Sequence, residues 1–203
     1  MIYQDFCSKL KYGLALSVLL FPLKGIAMNI DLSLPLSDEQ VEVLTDASER
    51  ELGKSGGGFF FQNNIRNPHY LFIGHIDPQP NGAGFVSAWI SIDTQWISDN
   101  TFVKIDVEPA PGDDFQYQVI LQPEGVDKEI SYIASFNPSN QKHLYQFSVN
   151  DFIPNYRGRV LTDVPKLKGN RLKKVGVRVV GRLGDDTFQK GPFALKLYQI
   201  SVE

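Results

Sequence analysis

Apolar and polar residues alternate one by one along most of this sequence. Val103, Ile105 and Val107 are apolar, for example, whereas the residue that follows each of them is charged. A period of two places alternate side chains on opposite faces of a β-strand, so one face can enter a core while the other meets water. Strands of this kind form antiparallel sheets. Nine runs rich in Val, Ile, Phe and Tyr, bounded by turn-forming residues, are predicted as strands over residues 59–65, 70–77, 84–92, 101–108, 114–122, 130–136, 143–149, 172–181 and 192–202.

The order of these runs predicts the class of fold. Helical patterns are almost absent after residue 45, so the strands have no helices on which to pack. We therefore expect an all-β fold, a jelly-roll β-sandwich of two antiparallel sheets, in one domain over residues 46–203. Residues 28–45 are interpreted as a lead-in segment, in which Ser37-Asp38-Glu39 is a candidate helix start.

The N-terminus has the pattern of a signal peptide. Lys9 and Lys11 precede an uncharged apolar run over residues 12–23, and small residues follow at 25–27. The run is shorter than the roughly 20 residues that a membrane span needs. We predict a signal peptide over residues 1–27, a periplasmic or secreted protein, and no stable membrane span after cleavage. The alternatives are a mitochondrial transit peptide, or a start at Met28 in a cytoplasmic protein.

Charge and cysteine content narrow the function further. The chain of 203 residues has a formal net charge of −3, whereas a nucleic-acid-binding domain normally has a basic excess. We therefore expect no nucleic-acid partner. The only cysteine, Cys7, lies within the predicted signal peptide, so the mature chain would have neither a disulfide nor a cysteine-based metal site.

Two short motifs are similar in sequence to catalytic motifs. Residues 53–55, Gly-Lys-Ser, end like a phosphate-binding loop, but the first glycine of that motif falls at Ser48. Residues 53–57 also spell the G-x-S-x-G pattern of a serine hydrolase elbow, which requires a following helix, whereas residues 59–61 are three phenylalanines. We predict that the protein is not an enzyme. A hydrolase would require a base beside Ser55.

No metal or cofactor is predicted. His69 and His75 flank an apolar strand at even spacing, but no third ligand is close to them in sequence. The paired acids at 113–114 and 185–186 lie in glycine-bounded turns, where short polar side chains make local hydrogen bonds. A calcium ion held by such turns is the alternative.

Binding, by contrast, has several candidate residues. Arg157 and Arg159 flank Gly158, and each guanidinium could either pin a loop to a carboxylate or grip an anion, a sugar or an acidic side chain of a partner. Aromatic side chains could stack on sugars or anchor a protein. Trp96 lies in a polar stretch and is expected to be exposed. The candidate ligand- or partner-binding residues are Arg157, Arg159, Tyr156, Trp96, Trp89 and Asn81.

One segment carries a resemblance to a known family. Residues 152–159, Phe-x-Pro-x-Tyr-Arg-Gly-Arg after an aromatic strand, resemble the complex I intermediate-associated protein family. Further similar motifs follow in the expected order: Asp46 with Gly53-Lys54-Ser55, Asn81-Gly82-Ala83-Gly84-Phe85-Val86-Ser87, Gly112-Asp113-Asp114 and Gly191-Pro192-Phe193-Ala194-Leu195.

The resemblance implies a galactose-binding-like β-sandwich and a role as an accessory or chaperone-like assembly factor. Its partners would be NADH dehydrogenase subunits of respiratory complex I, or another protein complex. The alternative is an exported carbohydrate- or ligand-binding module of the same fold. This chain departs from the pattern at Lys54, where a glycine is expected, and at Trp89, where many members have an arginine.

Overall fold

The computed structural model describes residues 27–80, 84–184 and 186–203, which form thirteen β-strands. The helical elements among them are one short helix, α1 (Asp46–Glu49), and a single 3-10 turn (Val149–Asp151). The strands are β1 (Met28–Asp31), β2 (Val41–Thr45), β3 (Gly56–Gln62), β4 (His69–Ile76), β5 (Phe85–Trp96), β6 (Phe102–Pro109), β7 (Tyr117–Pro123), β8 (Ile130–Phe136), β9 (His143–Ser148), β10 (Ile153–Tyr156), β11 (Arg159–Val160), β12 (Arg171–Val180) and β13 (Gly191–Val202).

The strands form two antiparallel sheets. The six-stranded sheet has the order β3-β4-β13-β6-β9, and β1 also pairs with β13. The seven-stranded sheet has the order β11-β10-β8-β7-β12-β5-β2. Non-consecutive strands are neighbours in both sheets, as expected for a jelly roll. The predicted all-β, two-sheet sandwich is confirmed.

Each of the nine predicted runs corresponds to a strand, because the period-two pattern is a local property of the sequence. The helix start at residues 37–39 is wrong. The residues behind it form the strand β2, which pairs with β5 and places Val41 and Val43 against the core. The α1 helix begins only at Asp46, where the Thr45 hydroxyl accepts a hydrogen bond from the Ser48 amide at 3.1 Å.

The core lies between the sheets. Val103, Ile105 and Val107 of the six-stranded sheet and Val175 and Val179 of the seven-stranded sheet are fully buried in it. An aromatic group joins the two layers at one end, formed by Phe72, Tyr117 and Phe193 with ring centroids 5.0–6.5 Å apart. Both sheets therefore present their alternate residues on outer faces, where a ligand or partner could bind.

Residues 28–45 contribute to both sheets. β1 pairs with β13, β2 pairs with β5, and Leu32 between them is fully buried in the core. The predicted signal peptide lies almost entirely outside the described residues. Within those residues, no helix has the length and apolar character needed to cross a membrane.

Candidate ligand-binding face

The outer face of the seven-stranded sheet is the candidate binding face. Its residues alternate with those that enter the core, so Ser87, Trp89 and Ser91 of β5 lie on it while Val86 and Ala88 point inward. The register of the strands places one row of residues across the middle of this face. In order across the sheet, the middle row is Glu42, Trp89, Gly176, Ile120, Ile133 and Ile153.

A polar row lies beside the middle row. In order across the sheet it consists of Leu44, Ser87, Arg178, Gln118 and Ser135. Arg178 is on the interior strand β12, opposite Ser87 of β5 on one side and Gln118 of β7 on the other. A cation at such a position has a strand on either side of it.

Arg178 is the unusual residue of this face. Its Nη2 atom donates a hydrogen bond to the hydroxyl of Ser131 at 3.0 Å. Ser131 lies on β8, so the arginine side chain crosses β7, which separates β8 from β12. Part of the side chain still meets solvent, but its guanidinium is enclosed closely enough that burial lowers the pKa of Arg178 to about 10.

The hydrogen bonding around Arg178 is incomplete. Within the described part of the chain, no carboxylate pairs with Arg178, and its buried Nε atom has no hydrogen-bond partner. The Oε1 atom of Gln118, directly opposite, is also buried and without a partner among the described residues. Buried polar groups normally find a partner, because an unsatisfied one costs about 1–3 kcal/mol and more when charged. The face therefore has an unused donor and an unused acceptor on neighbouring strands.

On the outer face of the six-stranded sheet, charged side chains pair with one another. There the lysines pair with acids: Lys104 with Glu203 at 2.6 Å, and Lys196 with Glu108 at 2.8 Å. Glu108 also accepts a hydrogen bond from the Tyr198 hydroxyl at 2.6 Å. The Lys196 and Tyr198 bonds hold the pKa of Glu108 below its usual value. These charges satisfy one another, whereas Arg178 finds no acid among the residues that the structure describes.

The two tryptophans predicted as binding residues lie on the same strand but in different surroundings. Trp89 is only 5% exposed, in the middle row beside Gly176. Trp96, at the end of β5, is 65% exposed, as expected from the polar stretch around it. The guanidinium carbon of Arg171 on β12 lies 5.8 Å from the centre of the Trp96 ring. Trp96 is thus available to a partner, while Trp89 mainly completes the packed face.

Tyr156, Arg157 and Arg159 lie in the hairpin β10–β11, at the far edge of the same sheet. Arg157 and Gly158 form its two-residue turn, with φ of 50° and 86°, and Tyr156 pairs with Arg159 across it. The Arg157 guanidinium donates to Glu129 at 2.8 Å, which holds the pKa of that carboxyl below its usual range. The observed contact matches the loop-pinning interpretation of Arg157. Arg159 is exposed.

The remaining polar candidates do not assemble into a site. Asn81 lies outside the described residues. His69 and His75 are both on β4, but no cluster of three or more potential metal-ligating side chains exists in the described part of the chain. Asp113 accepts hydrogen bonds from the Phe115 amide, the Tyr117 hydroxyl and the Ala194 amide at 2.6–3.0 Å. It therefore ties its turn to β13.

The glycine–serine motif has a structural explanation. The Ser55 amide donates to the buried carboxylate of Asp46 at 2.8 Å, and the Ser55 hydroxyl accepts from the Asp77 amide at 2.9 Å. A Cβ on Gly53 would lie 1.9 Å from the Asp46 carbonyl oxygen, so only glycine fits there. Ser55 is fully buried. The motif fastens the chain before β3, and the described partner of the Ser55 hydroxyl is a backbone amide.

Sequence reasoning missed Arg178, Gln118 and Ser131. The available signal was an arginine within an apolar strand, in the segment Lys174-Val-Gly176-Val-Arg178-Val. That pattern indicates an outward-facing cation. It does not indicate that the cation lacks a carboxylate among the described residues, since this depends on residues more than 40 positions away.

Two packed antiparallel sheets with these strand orders place the protein in the galactose-binding-like jelly-roll class of folds. Within this class, the family model of complex I intermediate-associated protein 30 (CIA30) matches residues 35–197. The chain belongs to that family, as its motifs predict. No curated protein matches the sequence significantly.

Solved structures with a similar fold include carbohydrate-binding modules. The family 11 module of a cellulosomal cellulase from Clostridium thermocellum is 9% identical, with a TM-score of 0.58 over 88% of this chain and 94% of that one. The same family's module in complex with a β-1,3-1,4-mixed-linked tetrasaccharide is 8% identical, with a TM-score of 0.59 over 87% and 94%. The xylan-binding module CBM15 is 8% identical, with a TM-score of 0.50 over 88% and 95%. At these identities the likeness is one of fold alone.

Proposed function

We propose that this protein is a non-enzymatic accessory factor that binds a protein partner through the outer face of the seven-stranded sheet. In keeping with its family, the partner would be a subunit of respiratory NADH dehydrogenase, or of another complex under assembly. The observation that carries the proposal is Arg178, a partly buried cation for which the described residues of this face provide no carboxylate.

The state of the neutral polar groups favours a protein partner over a neutral sugar. The Gln122 amide donates to the Asp127 carbonyl, the Asn155 side chain accepts from the Gly158 amide, and the Ser87 hydroxyl donates to the Leu44 carbonyl. These internal bonds occupy three of the neutral polar groups that could otherwise bind sugar hydroxyls. Ile153, 49% exposed at the end of the middle row, and Trp96 offer apolar contacts of the kind protein interfaces use.

The test is co-purification of the tagged full-length protein from its own cells after mild crosslinking. We expect NADH dehydrogenase subunits or another assembly intermediate with the wild-type chain, and a large loss of them with R178M. The matched control is R66M, because Arg66 is exposed in the loop between β3 and β4 of the other sheet. Equal recovery with R178M and wild type would exclude this face as the interface.

The alternative function is binding of a carbohydrate, and the fold of the neighbouring structures favours it. The xylan-binding module and the module with a bound mixed-linked tetrasaccharide share the sandwich. Affinity electrophoresis in gels containing xylan or mixed-linked β-glucan separates the two functions. Retardation by a neutral glycan, independent of Arg178, would favour the carbohydrate module.

We further propose that the protein is exported and that cleavage follows Ala27. The proposal rests on the basic and apolar pattern of the first 27 residues. Cell fractionation with intact mass measurement tests it. A mature chain that begins at Met28 outside the cytoplasmic membrane would favour an envelope partner, whereas a retained chain would favour the NADH-oxidising arm of complex I.

A further inference from the structure

Four cations of the seven-stranded sheet's outer face lie on one interior strand, β12. Arg171 and Lys173 flank the buried Leu172, and Lys174 precedes the buried Val175, so all three lie on the outer face together with Arg178. At about 3.3 Å per residue, these cations extend over about 23 Å along β12. We call this row of four residues the β12 basic stripe.

Two of the four cations in the stripe pair with acids of the same chain. Arg178 alone among the four is both enclosed and without an acid among the described residues. Lys174 pairs with Glu42 at 2.6 Å, and Arg171 lies 3.7 Å from Glu124. Lys173 is exposed to solvent, which screens its charge. Arg178 has the Ser131 hydroxyl, and its Nε atom has no partner. An anion bound here would therefore gain more from Arg178 than from the other three cations.

The donor geometry of the Arg178 guanidinium favours a carboxylate as the anion. A guanidinium offers two parallel N–H donors to the two oxygens of a carboxylate, a stronger arrangement than a single neutral hydrogen bond. The free Oε1 atom of Gln118 is an acceptor on the neighbouring strand and would suit an amide N–H beside that carboxylate. A carboxylate next to an amide is what an acidic residue in an extended peptide presents.

We propose that Arg178, with Ser131 and Gln118, is the receptor for a glutamate or aspartate side chain of an acidic partner segment that lies along the β12 basic stripe. This inference rests on the proposed function, because it specifies the chemistry by which the partner binds. The partner's acidic side chain supplies the carboxylate that the described part of this chain does not place beside Arg178. Lys173, the exposed cation of the stripe, would attract a neighbouring acid and so set the orientation of the segment.

The test measures binding of poly-L-glutamate to the purified full-length protein at physiological salt, for wild type, R178M, R178K and the control R66M. We expect R178M to bind about 10-fold more weakly or worse, as removal of a charge-assisted hydrogen bond predicts. R178K keeps the charge but lacks the two parallel N–H donors of a guanidinium. Its affinity should therefore lie between those of R178M and wild type. R66M removes the same charge elsewhere and should bind as wild type does.

Thermal unfolding without ligand gives a second readout. A partly buried cation without a counter-ion lowers the stability of the unliganded protein. R178M should therefore unfold at the same temperature as wild type or at a higher one. If R178M unfolds at a clearly lower temperature, Arg178 is a structural residue and the proposal is wrong. R178K retains the charge, so its binding tests the two parallel N–H donors of the guanidinium separately from the charge.

Polygalacturonate, a polymer of carboxylated sugars, is the competing probe. If it binds in an Arg178-dependent manner and poly-L-glutamate does not, the carboxylate belongs to an acidic glycan and the peptide ligand is overturned. If neither probe distinguishes R178M from wild type, Arg178 is not an anion receptor. A failure of dehydrogenase subunits to co-purify, with Arg178-dependent poly-L-glutamate binding intact, would refute the proposed complex but not this receptor.

Discussion

At the scale of single residues, partly buried polar side chains in this protein differ in how completely their hydrogen bonds are satisfied. Asp113 accepts three hydrogen bonds, including one from Tyr117, a tyrosine that is fully buried in the core. Burial, and then the bond to Asp113, raise the pKa of the Tyr117 hydroxyl above its usual value, so it stays protonated and continues to donate. Arg178 is the opposite case, since one of its buried donors remains unused within the described structure.

Replacement of Asp113 by alanine should therefore be costly. We expect D113A to lose about 2–4 kcal/mol of unfolding free energy, because the Tyr117 hydroxyl and the Ala194 amide would lose their acceptor inside the protein. Urea denaturation measures the loss. The neighbouring Asp114 is exposed, so D114A should change stability by less than about 0.5 kcal/mol. Similar losses for the two variants would refute the structural role of Asp113.

At the scale of elements, strand pairing and turn geometry explain motifs that look functional in the sequence. The Arg-Gly-Arg segment is a tight hairpin turn, and both of its central residues have positive φ. A two-residue turn of this kind matches the twist of the strands it joins, but it favours glycine or asparagine. Arg157 at φ 50° is therefore held in a conformation that side chains rarely adopt, and its bond to Glu129 helps to hold it there.

The turn makes a clear prediction for its glycine. Gly158 has φ of 86°, and a Cβ at this position would meet open space, so G158A should lose about 1 kcal/mol through backbone strain alone. Gly56 also has open space but no positive φ, so G56A should be neutral or slightly stabilising. Thermal or urea unfolding of both variants checks this. An equal effect at the two sites would contradict the strain argument.

At the scale of the whole molecule, the N-terminal residues of the described structure belong to the folded sandwich. Leu32 follows β1 and is fully buried in the core, whereas Leu34, two residues later, is 62% exposed. β1 and β2 pair with opposite sheets, so the segment between them links the two layers. Stability should therefore depend on residues that the sequence pattern assigned to a lead-in.

The two leucines test this directly. L32A should lose about 2–4 kcal/mol of unfolding free energy, as expected when a buried leucine leaves a cavity. L34A is the matched control and should change stability by less than about 0.5 kcal/mol. Urea unfolding of both variants is the measurement. A small effect of L32A would mean that the first strand contributes little to the sandwich.

Short strands mark the limit of prediction from sequence. Alternation predicts the nine longer strands, but β1, β2, β10 and β11 have only two to five residues each. Two to five residues contain too few repeats of a period-two pattern to stand out. Their strand conformation depends on pairing with distant segments, such as β1 with the C-terminal strand β13.

The residues of the candidate site divide in the same way, into those that nearby sequence predicts and those that the fold positions. The polar residues around Trp96 indicate its exposure, whereas the carboxylate that binds Arg157 belongs to Glu129, 28 positions away, and is brought to it by the fold. The sequence could not reveal that Trp89 shares a face with Arg178, which lies almost 90 positions away on a neighbouring strand.

The all-β class, the family and the outward direction of alternate residues can all be read from the sequence, since periodicity and motifs are carried by short stretches of chain. Which strands become neighbours is a property of the folded molecule. It brings Lys104 and Lys196 to acids on one sheet, and it leaves Arg178 on the other without a carboxylate from the described part of the chain. Whether a buried charge is satisfied depends on groups brought together from distant parts of the chain, and that is set by the fold.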